Sequence, residues 1–293
     1  NGIEISDAGG LVAPTAASGF KVLGNTVAAR SGASCFLTRS ISAHTLTDVL
    51  VAQNTFLGGG TGTVNIGNGT GIRIENNPRI DVPSGASAAA VQIASAATGT
   101  IVADNTITAL GSVRGVSVSG TDCHVRDNTI STATGECVRG QSGSHRLTVR
   151  GNTVTTSGAA DCIRCDGTDS DASFNRATQG AAGTLGALAM TNTFPQVIGN
   201  RVAAAGEAIY LESTTADGVV SGNIGTSGTQ GIRNRGDNNV ITGNRIKGMT
   251  FWGINNVATS DRMLLDGNIL TGNGSGALTD AGTTTTTGTN ITA

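Results

Sequence analysis

The sequence predicts an all-β fold of the solenoid kind, with parallel strands stacked coil on coil. Three observations carry that prediction. A phrase built on asparagine returns through the chain, as in Asp104-Asn105-Thr106-Ile107, Asp127-Asn128-Thr129-Ile130, Gly151-Asn152-Thr153-Val154 and Gly243-Asn244-Arg245-Ile246. From Asn105 through Asn128, Asn152, Asn175, Asn200, Asn223, Asn244 and Asn268 the steps are 23, 24, 23, 25, 23, 21 and 24 residues, a period typical of units that cannot bury their own apolar face alone. Composition agrees: 13% charged, 3% aromatic and 44 glycines in 293 residues require many turns and an interior of small aliphatic side chains.

Each element of the coil can be placed relative to the asparagine. Three residues before it stands an apolar side chain (Val102, Val125, Val149, Val197, Val220, Ile241, Leu265), and two after it usually another (Ile107, Ile130, Val154, Val202, Ile246, Leu270). A further strand alternates with period two in pairs such as Val91/Ile93, Val116/Val118, Ile163/Cys165, Leu188/Met190 and Ile209/Leu211, with Ile232 and Ile254 continuing the first column. The asparagine itself is expected to take the left-handed bend between strands and to hydrogen-bond its counterparts above and below. About 11–12 coils fill the chain as a single domain, residues 1–293, with 276–293 a Thr-rich terminal coil or cap. Asn1-Gly2-Ile3-Glu4-Ile5 already alternates and lacks an initiator Met, which reads as a processed chain or a fragment.

Charge and hydropathy exclude some partners. A formal net charge of −2 without a basic tail gives no electrostatic basis for nucleic acid, and no apolar run is long enough for membrane insertion by a helix. No metal or cofactor motif is evident. Asp166, Asp169 and Asp171 form an acidic loop that makes calcium possible, although a turn whose Asp side chains bond their own backbone is the plainer reading.

The Gly-Asn-x-Ile/Val coil followed by Gly-Ile resembles the right-handed parallel β-helix of the pectate-lyase-like superfamily over nearly the whole chain. The resemblance implies right-handed winding, polysaccharide as the partner, and one of several roles: lyase, hydrolase, epimerase or phage tailspike. It also implies an extracellular or virion-surface location and, for tailspike-like members, a homotrimer. The paired-Asp and Gly-His-Gly motifs of polygalacturonases are missing, as is the Asp-Pro-His-Glu motif of mannuronan epimerases. Arg245-Ile246-Lys247 stands without its partners, and Lys21 and Lys247 are the only lysines.

One outward stripe carries the main functional expectation. The residue between the two inward positions of the alternating strand runs Gln92, Ser117, Arg139, Arg164, Ala189, Tyr210, Arg233, Asn255. Arg114, Glu136, Asp161, Glu207, Gln230 and Trp252 flank it on one side, and Asp166, Glu212 and Arg235 on the other. Glu136 and Asp161 fall one rung apart and Asp161 and Glu207 two, near the carboxyl separations of about 5–5.5 Å and about 6.5–9.5 Å used by retaining and inverting glycosidases. Asp161, Glu207 and Glu136 are therefore the candidate catalytic groups. Arg139, Arg164, Asp166, Glu212, Arg233 and Arg235 are candidate substrate contacts, and Tyr210 and Trp252 candidate sugar-stacking faces. The plainer reading is a polar surface of inter-rung ion pairs.

An alternative site, His124, Arg126, His145 and Arg150, would suit proton abstraction beside a sugar carboxylate. Arg176, Arg201 and Arg245 read as solubilising charge. Cys137 and Cys162 share a small-residue position on neighbouring rungs, within disulfide reach, and the five cysteines are expected to be buried, inert thiols. The Thr283–Thr287 tail reads as a final strand, without a Thr-x-Thr ladder on earlier coils. Function thus divides between a tailspike-like protein that binds a bacterial surface glycan with or without degrading it, a non-catalytic structural or adhesion solenoid, and a uronate lyase or epimerase. If an enzyme, it is a glycoside hydrolase or polysaccharide lyase.

Overall fold

The computed structural model describes residues 3–6, 18–29, 33–39, 46–59, 62–183 and 185–292. They form three parallel sheets of 12 strands each. The first sheet runs from Ile3–Ser6 to Gly276–Asp280, the second from Lys21–Leu23 to Thr286–Thr287, and the third from Thr26–Ala29 to Ile291–Thr292. Each strand pairs with the strands three places before and after it, so one coil contributes one strand to every sheet. No described helix is long and apolar enough to cross a membrane. Residues 1 and 2, on which the reading of a processed start rested, lie outside the described residues.

The register follows the inward pattern. Val91, Val116, Val138, Ile163, Leu188, Ile209, Ile232 and Ile254 are consecutive partners, all fully buried or nearly so. Adjacent to them runs a column too narrow for larger side chains. It includes Cys35, Ala90, Gly115, Cys137, Cys162, Ala187, Ala208, Gly231 and Gly253, and a Cβ at Gly231 would come within 2.2 Å of Ile246 Cγ2 and 2.4 Å of the Gly253 carbonyl oxygen. All five cysteines are free and buried; burial pushes Cys165 up to about 12, which leaves it a thiol rather than a nucleophile.

Twelve described asparagines form one continuous ladder: Asn25, Asn54, Asn77, Asn105, Asn128, Asn152, Asn175, Asn200, Asn223, Asn244, Asn268 and Asn290. In each step the backbone N–H and the Nδ2 of one residue donate to the Oδ1 of the next, as Asn128 does to Asn152, both at 3.0 Å. The Nδ2 also reaches a carbonyl of the preceding coil, Val125 in the case of Asn152 at 2.8 Å. The left-handed bend itself falls one residue earlier than the sequence pattern suggested. Gly24, Gln53, Asn76, Asp104, Asp127, Gly151, Phe174, Gly199, Gly222, Gly243 and Gly267 carry the positive φ, which frees the asparagine for extended hydrogen bonding. That column accepts Gly, Asp or Asn readily and a bulky residue only under strain.

Two further departures concern polar columns. Inward Leu211 is followed by Asn234, Asn256 and Asp280, which bond one another through Asn234 Nδ2 to Asn256 Oδ1 at 2.8 Å and Asn256 Nδ2 to Asp280 Oδ1 at 2.7 Å. The last coils therefore carry a buried amide chain in place of aliphatic side chains. The third sheet also presents a Thr-x-Thr ladder that the sequence reading did not anticipate, with Thr106/Thr108, Thr129/Ser131 and Thr153/Thr155 in register on its outer face. The Thr-rich segment pairs with the preceding coil through all three sheets. Leu37 and Ala189, on outward positions of the first sheet, are nonetheless buried, at 8% and 0% exposure.

Asn152→Ala should destabilise the chain by about 3 kcal/mol or more, because it strands the buried Asn128 N–H and Nδ2 as well as deleting the three bonds that the Asn152 Nδ2 donates. Thr153→Ala, one residue on and exposed, should stay within about 0.5 kcal/mol. Urea denaturation of the two variants checks the contrast.

Candidate functional site

The outward column of the first sheet is arranged as the sequence spacing implied: Gln92, Ser117, Arg139, Arg164, Ala189, Tyr210, Arg233 and Asn255 are successive partners. The stripe differs from the expectation in its state. Its carboxylates and guanidiniums are joined in a partly buried lattice. Arg114 Nε donates to Glu136 Oε2 at 2.9 Å and Arg139 Nη1 to Glu136 Oε1 at 2.8 Å. Arg139 Nη2 pairs with Asp166 Oδ2. Arg164 Nε donates to Asp166 Oδ1 at 2.9 Å, and Thr191 Oγ1 to the same oxygen at 2.8 Å. Asp161 has only a loose contact, 3.9 Å from Arg164 Nη1.

Their protonation follows from these neighbours. Burial pushes Asp161 up to about 7, with Arg164 opposing and the Glu136 charge adding to the rise. Burial acts on Glu136 in the same direction, but Arg114 and Arg139 outweigh it and hold that carboxyl below its usual range. The cause lies in the corner column: Glu136 has Arg114 on the preceding coil, whereas Asp161 has Glu136 before it and Gly186 after it. Two carboxyl groups on adjacent rungs, about 4.8 Å apart along the axis, thus have their pKa values pushed in opposite directions.

Glu207 lies two rungs beyond Asp161, across Gly186. Burial raises its pKa against the pull of Arg233, whose Nη1 donates to Oε1 at 3.0 Å; Oε2 is buried without a hydrogen-bond partner. Tyr210 corrects one expectation. It is 2% exposed, the Arg233 guanidinium lies 5.7 Å from its ring centroid, and its hydroxyl donates to Glu212 Oε2 at 2.9 Å while accepting from Arg235 Nη1 at 3.1 Å. The ring is packed into the lattice and offers no open face for stacking. Trp252 is half-buried over Gly276, where a Cβ would come within 2.6 Å of its Cζ3, and stands four rungs beyond Asp161.

The alternative site does not assemble as one constellation. His124 is exposed on the second sheet opposite Thr148. His145 sits at the preceding corner, bonded through Nδ1 to Thr168 and 3.6 Å from Asp169. Arg126 and Arg150 are in register, Arg126 pairing with Asp127 at 3.2 Å and Arg150 lying over Phe174. The calcium possibility also loses its geometry: Asp166 turns into the arginine lattice, Asp169 faces His145, and Asp171 lies on a strand opposite Thr148. Among the described residues no group of three His, Cys, Asp or Glu side chains is placed to hold a metal ion.

The fold is similar to that of a known enzyme. The crystal structure of a mutant of the periplasmic alginate epimerase AlgG superimposes with a TM-score of 0.62 at 13% identity, covering 89% of this chain and 71% of the other. That likeness defines the class, a parallel β-solenoid. No family model and no curated protein matches the chain.

The Asp161 environment yields a stability test with a defined sign. Because the folded pKa is raised, its contribution is fully present below about pH 4 and is lost as pH rises through about 7, by at most about 4 kcal/mol. Asp161→Asn should therefore flatten the stability profile over that window and be more stable than the parent at pH 8. Denaturant midpoints from pH 4 to 8 check both.

Proposed function

We propose that this chain acts on an acidic polysaccharide along the first sheet, by acid–base chemistry shared between Asp161 and Glu136. The observation that carries the proposal is the pair of carboxyl groups one rung apart, their pKa values pushed in opposite directions by their neighbours. Environments that separate two carboxyl pKa values are how general acid and nucleophile or base are assigned in glycoside cleavage. In this reading Asp161 donates its proton to the glycosidic oxygen. The Glu136 carboxylate, each of whose oxygens keeps a lone pair beyond its arginine bond, attacks the anomeric carbon. Water then releases the sugar as Asp161 takes back a proton.

Arg139, Arg164, Arg233 and Arg235 would receive substrate carboxylates in exchange for their present partners, with Asp166 and Glu212 returning them to place. Glu207, across the Gly186 gap, would hydrogen-bond a sugar hydroxyl through its unpartnered oxygen. The narrower form of the proposal is a tailspike-like protein recognising a bacterial surface glycan, extracellular or on a virion and trimeric. A second reading, uronate lyase or epimerase, is favoured by the fold likeness to an alginate epimerase. There Asp161, once ionised, would serve as the base and the arginines would neutralise the sugar carboxylate.

Incubation with a panel of capsular and uronate polysaccharides separates these readings. Hydrolysis gives new reducing ends without ultraviolet-absorbing unsaturated ends, a lyase gives both, and an epimerase changes only the sugar proton spectrum. Asp161→Asn and Glu136→Gln should each lower kcat by about 10²-fold or more with folding intact, and hydrolytic kcat/KM should fall as pH rises through about 7. Full turnover in both variants would remove the assignment.

A further inference from the structure

We propose that the corner between the second and third sheets, around Phe174, is a separate binding subsite for an anionic polysaccharide. Phe174 occupies the left-handed bend where neighbouring coils place Gly151 and Gly199, with φ 55. A bulky side chain is strained at such a φ, and at 55% exposure the ring recovers little by burial. Phe194 shares this φ and exposure on another corner; the arginines beside Phe174 distinguish this one.

The ring is held as a platform. The Arg150 guanidinium lies 5.1 Å from its centroid, and on the following coil it rests against Gly199, where a Cβ would come within 2.7 Å of the ring. A depression of about 430 Å³ opens beside it, lined by Arg126, Asp127, Arg150, Gly151 and Phe174. Around the corner, Arg176 and Arg201 are in register on adjacent rungs and line a second depression of about 270 Å³.

Charge state distinguishes this corner from the first sheet. There every arginine of the stripe is paired with a carboxylate; here Arg126 and Asp127 satisfy each other, but Arg150, Arg176 and Arg201 form no ion pair among the described residues. Three guanidiniums without a carboxylate partner therefore stand at or beside this corner, Arg150 over the Phe174 ring and Arg176 and Arg201 one rung apart on the adjoining sheet, a rung being about 4.8 Å. The C–H face of a pyranose stacks on such a ring while its carboxylates take bidentate guanidinium bonds. Single-stranded nucleic acid would use the same stacking, and the oligonucleotide titration separates it from a uronate chain.

The test is calorimetric titration of the full chain with an alginate hexasaccharide, the same hexasaccharide after carboxyl reduction, and a thymidine oligonucleotide. The acidic hexasaccharide should bind, and more weakly as salt rises. Phe174→Gly and the double variant Arg150→Gln/Arg176→Gln should each weaken it at least about tenfold, while Phe174→Gly melts at the same or a higher temperature. Binding is read whether or not the chain cleaves a polymer, so failure of the first-sheet reading leaves this result interpretable. Where cleavage occurs, kcat at saturation should be unchanged in both variants. No binding, unchanged affinity in Phe174→Gly, equal affinity for the reduced hexasaccharide, or tighter binding of the oligonucleotide would each overturn the proposal.

Discussion

Axial superposition governs everything else in this molecule. Parallel pairing sets one coil on the next at about 4.8 Å, and the asparagine ladder locks that register, because each Oδ1 accepts both donors of the preceding asparagine. The consequence is that a residue's nearest non-local neighbours are its equivalents one coil away. Columns, not individual residues, are the units of constraint: a narrow column holds Cys, Ala or Gly and, at Thr63, one Thr, and a bend column prefers Gly or Asp.

The same rule explains the electrostatics of the first sheet. Arg139 and Arg164 stack as direct partners, an arrangement of like charges tolerated because Glu136 and Asp166 flank them and bridge between rungs. Asp161 is the member left short. The coil that should supply its next cation supplies Gly186 and Ala189 instead, so burial is not offset and the proton is retained. A single small coil between two polar ones thus creates both the gap on the stripe and the unusual carboxyl group beside it.

How much of this was legible in the sequence depended on whether a feature repeats. Sheet membership, register and the composition of the outward stripe could be read because the same offsets from the asparagine recur in every coil. Side-chain state could not be read from offsets. Tyr210 occupies its expected position yet is buried, since Arg233 and Arg235 on the next coil fold over its ring and hydroxyl. His124 and His145 fall on adjacent coils as their spacing implies, but His145 is in register with Thr121 at the corner and His124 with Thr148 on the strand. The bend was assigned to the asparagine because that residue recurs most faithfully. The residue before it varies among Gly, Asp, Asn, Gln and even Phe174, which hides the common φ it adopts. The Thr106-to-Thr155 ladder was missed although the repeat itself displays it, because attention followed the inward residues of that strand.

A closed lattice and an open cationic corner make different demands on a ligand. Separating Arg139 from Glu136 or Asp166 exposes partly buried charges, and leaving either one unpaired is costly. Only a ligand that brings its own anions can replace those partners without leaving a guanidinium stranded, so on the proposed function the first sheet would favour acidic chains through the penalty it imposes on neutral ones. At the corner, Arg150, Arg176 and Arg201 have no carboxylate partner to lose among the described residues, so an anion bound there would displace none, but in higher dielectric and with less discrimination. Affinity at the corner and selectivity on the first sheet are therefore separable properties of one scaffold, each set by which coils carry a charge and which carry a small residue in its place.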